Sequence, residues 1–377
     1  MSSLGFRRLA AAIVVALVAV PPAPGQVAAT GRRTESRDTS FAATVRRISE
    51  PGGFFDSDNL ISNETSYLHV VNRLRELGVT GGAYIGVGPD QNYSYVAAIR
   101  PSIAFMIDIR RDNALQHLMY KALFERSRNR TEFLCRLLGR ASPADVDRWD
   151  DRPIDSVLAW LDTAPVDAVA GERERRETLA LAASYGVPLD ARDRETILRF
   201  HREFMQEGLE LRFSSFRRAN SGMYPSLRSL IIARDLAGQR SSYLASEAAW
   251  RFIKRLHATG RIVPIVGNLG GDEAFPALAA ELRARNLRVS ALYTSNAEMY
   301  IWRDGLFPKF ARTVTTLPID ARSVIIRSYF DRSGTRHPLA VSGHLSVQLL
   351  QRTQDFVRRY RAGQIESYWD VVSLDAR

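Results

Sequence analysis

The residues of this chain whose types and spacing suit them for chemistry follow a series of apolar runs. The segment Gly81-Gly-Ala-Tyr-Ile-Gly-Val-Gly-Pro-Asp90 ends in a two-glycine turn, and Asp108 closes the apolar run that begins at Ile103. Glycines allow a tight turn and a close approach of backbone to ligand. A carboxylate about twenty residues further on is placed to accept hydrogen bonds from both hydroxyls of a ribose. Gly86, Gly88, Asp90, Asp108 and the adjacent Arg110 are therefore the expected cofactor-binding residues. An acid such as Asp90 at a helix N-terminus disfavours a pyrophosphate there and tolerates a cofactor without phosphate. Further polar candidates for a substrate cleft are Asn63 and Glu64 ahead of the first strand, His117 after the second, Asn268 after the fourth, and Asn296, Glu298 and Tyr300 after the fifth. Ser62 and Asn63 also fit a second role as helix caps, and His117 fits that of a satisfied interior histidine.

Such residues need a scaffold that gathers strand ends, and the pattern supplies one. A helix is expected from Ser62 to Leu77, a strand up to Gly86, a crossover helix from Gln91 to Ile99, a strand from Ile103 to Ile109 and a helix from Asn113 to Arg126. Residues from about 131 to 208 read as wholly helical, an insertion after the second strand. Strands follow at Leu211–Ser215, Arg261–Gly267, Leu287–Tyr293, Thr313–Leu317 and Ser323–Phe330, with a last helix from Val347 to Tyr360. Strands alternating with helices through short loops make an α/β fold, doubly wound around a mostly parallel seven-stranded sheet.

The glycine turn and Asp108 together resemble the class I S-adenosylmethionine-dependent methyltransferases. More closely, Tyr84-Ile-Gly-Val-Gly-Pro-Asp-Gln-Asn-Tyr93, Asp108-Ile-Arg-Arg-Asp-Asn113, Tyr243-Leu-Ala-Ser-Glu247 and Tyr293-Thr-Ser-Asn296 resemble a family of uncharacterised bacterial proteins in that Rossmann-like fold class. The resemblance runs from about Pro51 through most of the chain. It implies S-adenosylmethionine as cofactor, with Gly86, Gly88 and Asp108 at cofactor positions, and methyl transfer to an acceptor the sequence does not name. Three features depart from the pattern. Tyr84 stands where an acid is usual, Asp90 stands near the third glycine, and Gly267-Asn-Leu-Gly-Gly271 replaces the aromatic or proline-rich tetrapeptide after the fourth strand. The alternative is an exported protein of this fold that has lost methyl transfer and binds a small polar ligand.

Residues 1–29 read as a signal peptide, with Arg7 and Arg8 before an apolar stretch from Leu9 to Val20 and small residues after it. The mature chain is then expected to be periplasmic or extracellular, without a membrane span. An uncleaved segment would leave it anchored or cytoplasmic. Residues 30–50 lack periodicity and read as a flexible lead-in to a single domain over 51–377. The formal charge of +11 comes from dispersed arginines, with lysine only at 121, 254 and 309. No basic cluster marks a nucleic-acid site. The histidines lack metal-ligand spacing, Cys135 alone makes no intrachain disulfide, and the Gly-x-Ser-x-Gly elbow of hydrolases is missing. A small-molecule ligand is the partner class that remains.

Overall fold

The computed structural model describes residues 41–216, 224–330 and 336–373. The signal-peptide segment and residues 30–40 of the lead-in lie outside them. In chain order the elements are α1 (41–48), α2 (Val71–Glu76), β1 (Ala83–Gly86), α3 (Asn92–Ile99), β2 (Ile103–Asp108), α4 (Arg111–Arg126), α5 (Arg130–Leu137), α6 (Ile154–Thr163), α7 (Ala168–Ser184), α8 (Ala191–Glu207), α9 (Leu227–Ile231) and α10 (Glu247–Ala258). Then come β3 (Ile262–Val266), α11 (Ala274–Ala284), β4 (Val289–Ser295), α12 (Ala297–Arg303), α13 (Phe307–Val314), β5 (Val324–Phe330), β6 (Ser346–Arg352), α14 (Thr353–Arg361) and α15 (Tyr368–Val372).

Six strands form one sheet in the order β3-β2-β1-β4-β5-β6, parallel throughout except for β6, which runs antiparallel to β5. Every residue of β1, β2 and β3 is buried, as in strands covered by helices on both faces. Helices α2, α3, α4 and α10 pack together, and α11, α12, α13 and α14 make a second set. Right-handed crossovers on either side of the order reversal at β1 and β4 put the two sets on opposite faces. The fold is α/β and Rossmann-like.

The strand count departs from expectation in three places. Leu211–Ser215 forms one isolated bridge, Arg212 with Ser226, and no strand. Thr313–Leu317 is the end of α13 and the turn after it, because Phe307, Phe310 and Val314 form a buried helical face. The stretch expected as one helix from Val347 is β6 followed by α14, so the described residues hold six strands rather than seven. The helix expected from Ser62 is regular only over α2. Residues 65–70 turn instead, tied down where Ser66 Oγ meets Ser346 Oγ at 2.8 Å and Tyr95 Oη donates to the Tyr67 carbonyl at 2.5 Å.

Order begins before Pro51. Helix α1 buries Phe41, Ala42, Val45 and Ile48, and Arg47 pairs with Glu281 of α11 at 2.7 Å. Among the described residues no helix is long and apolar enough to cross a membrane, and no group of three or more His, Cys, Asp or Glu could hold a metal ion.

Candidate functional site

The carboxyl ends of β1, β2, β3 and β4 open onto one cleft, at the point where strand order reverses. It is a partly open cleft, concave and lined by both apolar and polar groups, as small-molecule sites are. Val87, Gly88 and Gln91 contribute from β1, Asp108 and Arg110 from β2, Asn268 from β3, and Ser295, Asn296 and Tyr300 from β4. Residues 54–63 run across the mouth, with Phe54 66% exposed and Phe55 edge-on to Tyr300 at 5.2 Å.

The glycine turn is built around Asn92. Its Nδ2 donates to the carbonyls of Val87 (2.9 Å), Gly88 (3.3 Å) and Pro89 (2.7 Å), and its Oδ1 accepts from Tyr84 Oη at 2.7 Å. The amide lies directly on Gly86, where a Cβ would come within 1.9 Å of Asn92 Oδ1. Gly88 is needed for another reason, its φ of +88°. Tyr84 therefore shapes the turn. Behind it His117 Nε2 donates to the Gly88 carbonyl at 3.0 Å, so Nδ1 accepts from Tyr93 Oη at 2.7 Å. Burial lowers the His117 pKa to about 4 and keeps the ring neutral. His117 supports the turn from beneath and does not line the cleft, so of its two expected roles it takes that of a satisfied interior histidine.

Asp90 is corrected too. It accepts from Tyr243 Oη at 2.8 Å inside the helical layer, and desolvation pushes its pKa up to about 6. It is a core acid outside the cleft. Asp108 lies where expected, at the end of β2 and on the cleft. Arg110 folds back on it. Nε reaches Oδ1 at 3.1 Å, Nη2 reaches Oδ2 at 3.1 Å, and the Arg110 backbone N–H donates to Oδ1 at 2.9 Å. The remaining nitrogen, Nη1, donates to the Ser57 and Asp58 carbonyls. Of about four lone-pair positions on a carboxylate, three are thus taken, and the open one is on Oδ2. Arg110 faces the cleft, whereas Arg111 pairs with Asp193 of α8 at 2.5 Å.

Asn268 follows β3, the third strand in chain order and an edge of the sheet, rather than a fourth strand. Its Oδ1 accepts from the Gly270 N–H at 2.8 Å. Glu50 accepts from the N–H groups of Asn268 (2.6 Å) and Ala274 (2.9 Å) and so closes the loop before α11. The segment after the fourth strand is Ser295-Asn-Ala-Glu298. Asn63, Asn296 and Tyr300 line the cleft as expected, and Glu298 does not. Glu298 is buried against Arg327 of β5 (2.5 Å), whose Nη1 also donates to Gln351 at 2.6 Å. Glu64 lies beneath the cleft, fully buried, accepting from Tyr293 Oη at 2.7 Å, Gln348 Nε2 at 3.3 Å and Ser295 Oγ.

Sequence reasoning missed Asn59, Gln91 and Ser295. Gln91 Nε2 donates to Tyr293 Oη at 3.2 Å, while its buried Oε1 has no partner among the described residues.

Comparison with curated proteins finds no match. A protein-family comparison matches residues 60–149 and 190–371. Every cleft residue except those of 54–59 falls within those two segments, and the interval between them, which holds α6 and α7, contributes none. With the matched segments covering more than half of its length, the chain belongs to the family described as Domain of unknown function (DUF7790).

Proposed function

We propose that the cleft binds S-adenosylmethionine and that the protein transfers its methyl group to an acceptor entering past Asn63, Asn296 and Tyr300. The observation that carries this reading is that Gly88 and Asp108 share one cleft at the reversal of strand order. The open position on Asp108 Oδ2 suits a ribose hydroxyl, and Ile107, Ile109 and Leu269 offer apolar surface to a base. Both arginines of the cleft are engaged, Arg110 with Asp108 and Arg303 with Asp304. That arrangement favours a nucleoside without phosphates. In this reading the sheet is a class I methyltransferase-like sheet, and the helices between β2 and β3 are an insertion into it.

A second reading, a binding protein for a small polar ligand, is favoured by the amide-rich lining of Asn59, Asn63, Asn268 and Asn296. It also suits an exported protein, since S-adenosylmethionine is made in the cytoplasm. Calorimetric titration with S-adenosylmethionine and S-adenosylhomocysteine separates the two. Binding by the wild type that weakens roughly 10- to 100-fold in Asp108→Asn, the worth of one charge-assisted hydrogen bond, supports a methyltransferase site. A folded wild type that binds neither ligand refutes it.

A further inference from the structure

Beneath the cleft floor lies an acid that ligand binding alone does not use. Glu64 is fully buried and the donors around its oxygens are neutral, Ser295 on Oε1 and Tyr293 and Gln348 on Oε2, with the Ser328 hydroxyl beside them. The groups facing it are Tyr84 of β1, Tyr95 of α3, Tyr293 and Ser295 of β4, Ser328 of β5 and Gln348 of β6. No cation is among them, so nothing offsets a negative charge there except hydrogen bonds, and desolvation raises its proton affinity.

Ser295 connects this acid to the cleft. It lines the cleft while its hydroxyl donates to Glu64. Its backbone has φ +53°, uncommon for a residue with a side chain, and the pairing of β4 with β5 slips between Tyr293 and Ser295. An irregularity of this kind at a strand end re-aims a side chain, and such backbone strain is held where surrounding structure enforces it. Gln91, which also lines the cleft, donates to the Tyr293 hydroxyl and so fixes a second hydrogen bond on Glu64.

We propose that Ser295 and Glu64 form a proton path out of the cleft, which rests on the methyl-transfer reading and makes the acceptor a hydroxyl or N–H compound. The acceptor's lone pair forms the new bond to the methyl carbon, and the S–C bond pair stays on sulfur. The acceptor proton passes to Ser295 Oγ as the serine's own proton passes to Glu64 Oε1. Acceptor, sulfonium and carboxylate become methylated acceptor, thioether and carboxylic acid, so atoms and charge balance. Ser295 touches the substrate; Glu64 acts through it.

Infrared spectroscopy of the full chain tests the path without any ligand. The difference between wild type and Glu64→Gln should isolate a protonated-carboxyl band that persists to pH values above the ordinary carboxylate range. Ser295→Ala should slow hydrogen–deuterium exchange of that band at least tenfold while thermal unfolding shows the variant folded. A band confined to the ordinary range, or exchange unchanged in Ser295→Ala, overturns the path. Titration of S-adenosylmethionine in two buffers of different ionisation enthalpy tests its use. Arrival of the sulfonium cation should release a proton from the wild type and none from Glu64→Gln. Proton-silent binding overturns the proposed coupling. Failure of both S-adenosylmethionine and S-adenosylhomocysteine to bind, with the slowed exchange present, overturns methyl transfer and retains the proton path itself.

Discussion

Replacing Gly86 by alanine should damage the protein more than replacing Gly88, although both belong to the same turn. At Gly86 the new methyl would meet Asn92 Oδ1 at 1.9 Å and the Tyr84 ring and hydroxyl at 2.6 and 2.8 Å. Asn92 cannot retreat without releasing the three carbonyls it ties together and the buried Tyr84 hydroxyl it accepts from. Overpacking of this kind costs roughly 1–3 kcal/mol, and one buried hydroxyl left without a partner adds roughly 1–3 kcal/mol. A loss of about 2–6 kcal/mol is expected. At Gly88 the nearest atoms to a Cβ are 3.5 Å away, so only the positive φ resists substitution, at about 1–2 kcal/mol. Denaturant unfolding of the two variants measures the difference through the midpoints, provided the slopes agree. Asn92→Ala supplies the internal control. If the clash with Asn92 is the cause, Gly86→Ala should cost at least about 1 kcal/mol less in the Asn92→Ala background. A Gly86→Ala variant within about 1 kcal/mol of wild type, or one more stable than Gly88→Ala, would refute this account of the turn.

Asp90, held at about 6 against an ordinary 3.8, binds a proton in the folded state that the unfolded chain has released. Its contribution is present below pH 3.8 and falls by about 3 kcal/mol as pH rises through 6. Asp90→Asn should therefore gain on wild type across that window in chemical denaturation, and a pH-independent difference would refute the assignment. His117 has the opposite sign, because its folded pKa of about 4 lies below the ordinary 6.5. Its contribution is complete above pH 6.5 and declines by about 3 kcal/mol as pH drops to 4, so His117→Gln should flatten the acid limb of the stability curve. Arg327→Met should cost about 3–5 kcal/mol by stranding Glu298, and Glu298→Met with Arg327→Met should recover much of that loss. A double variant less stable than Arg327→Met alone would show that the stranded charge is not the cause.

Much of the sheet was legible because β1 to β5 are short apolar runs with turn signals at their ends. The run Thr313–Leu317 misleads because β-branched residues favour strands only weakly, and the buried face of α13 overrides them. Strand β6 was hidden because Ser346–Arg352 runs without a loop into the amphipathic α14. Pro264 did signal that its strand is not central, since proline lacks the N–H that a second neighbour would require. Within the site, Asp108 and Gly88 could be read from spacing. The exclusion of Glu298 was also readable: on a helix, residues 296, 300 and 303 share a face, whereas 298 projects nearly opposite. The interior role of His117 was one of two readings, whereas those of Asp90 and Glu64 were not legible, because each depends on a tyrosine brought near by tertiary packing.

The edge strand β3 exposes backbone on its outer side, and the chain covers it with its own beginning. The Glu50 N–H donates to the Val266 carbonyl at 3.0 Å, and Ser49 Oγ accepts from the Val266 N–H at 3.1 Å, a pairing across 217 residues. Glu50 closes the loop before α11 across 224 residues. The first part of the described chain to leave the ribosome therefore cannot finish docking until β3 and α11 have been made, and until then the apolar face of α1 (Phe41, Ala42, Val45 and Ile48) stays open to other chains. Vectorial synthesis thus sets a period of vulnerability in this protein, which ends only when α1 and residues 49–50 close over β3 and α11.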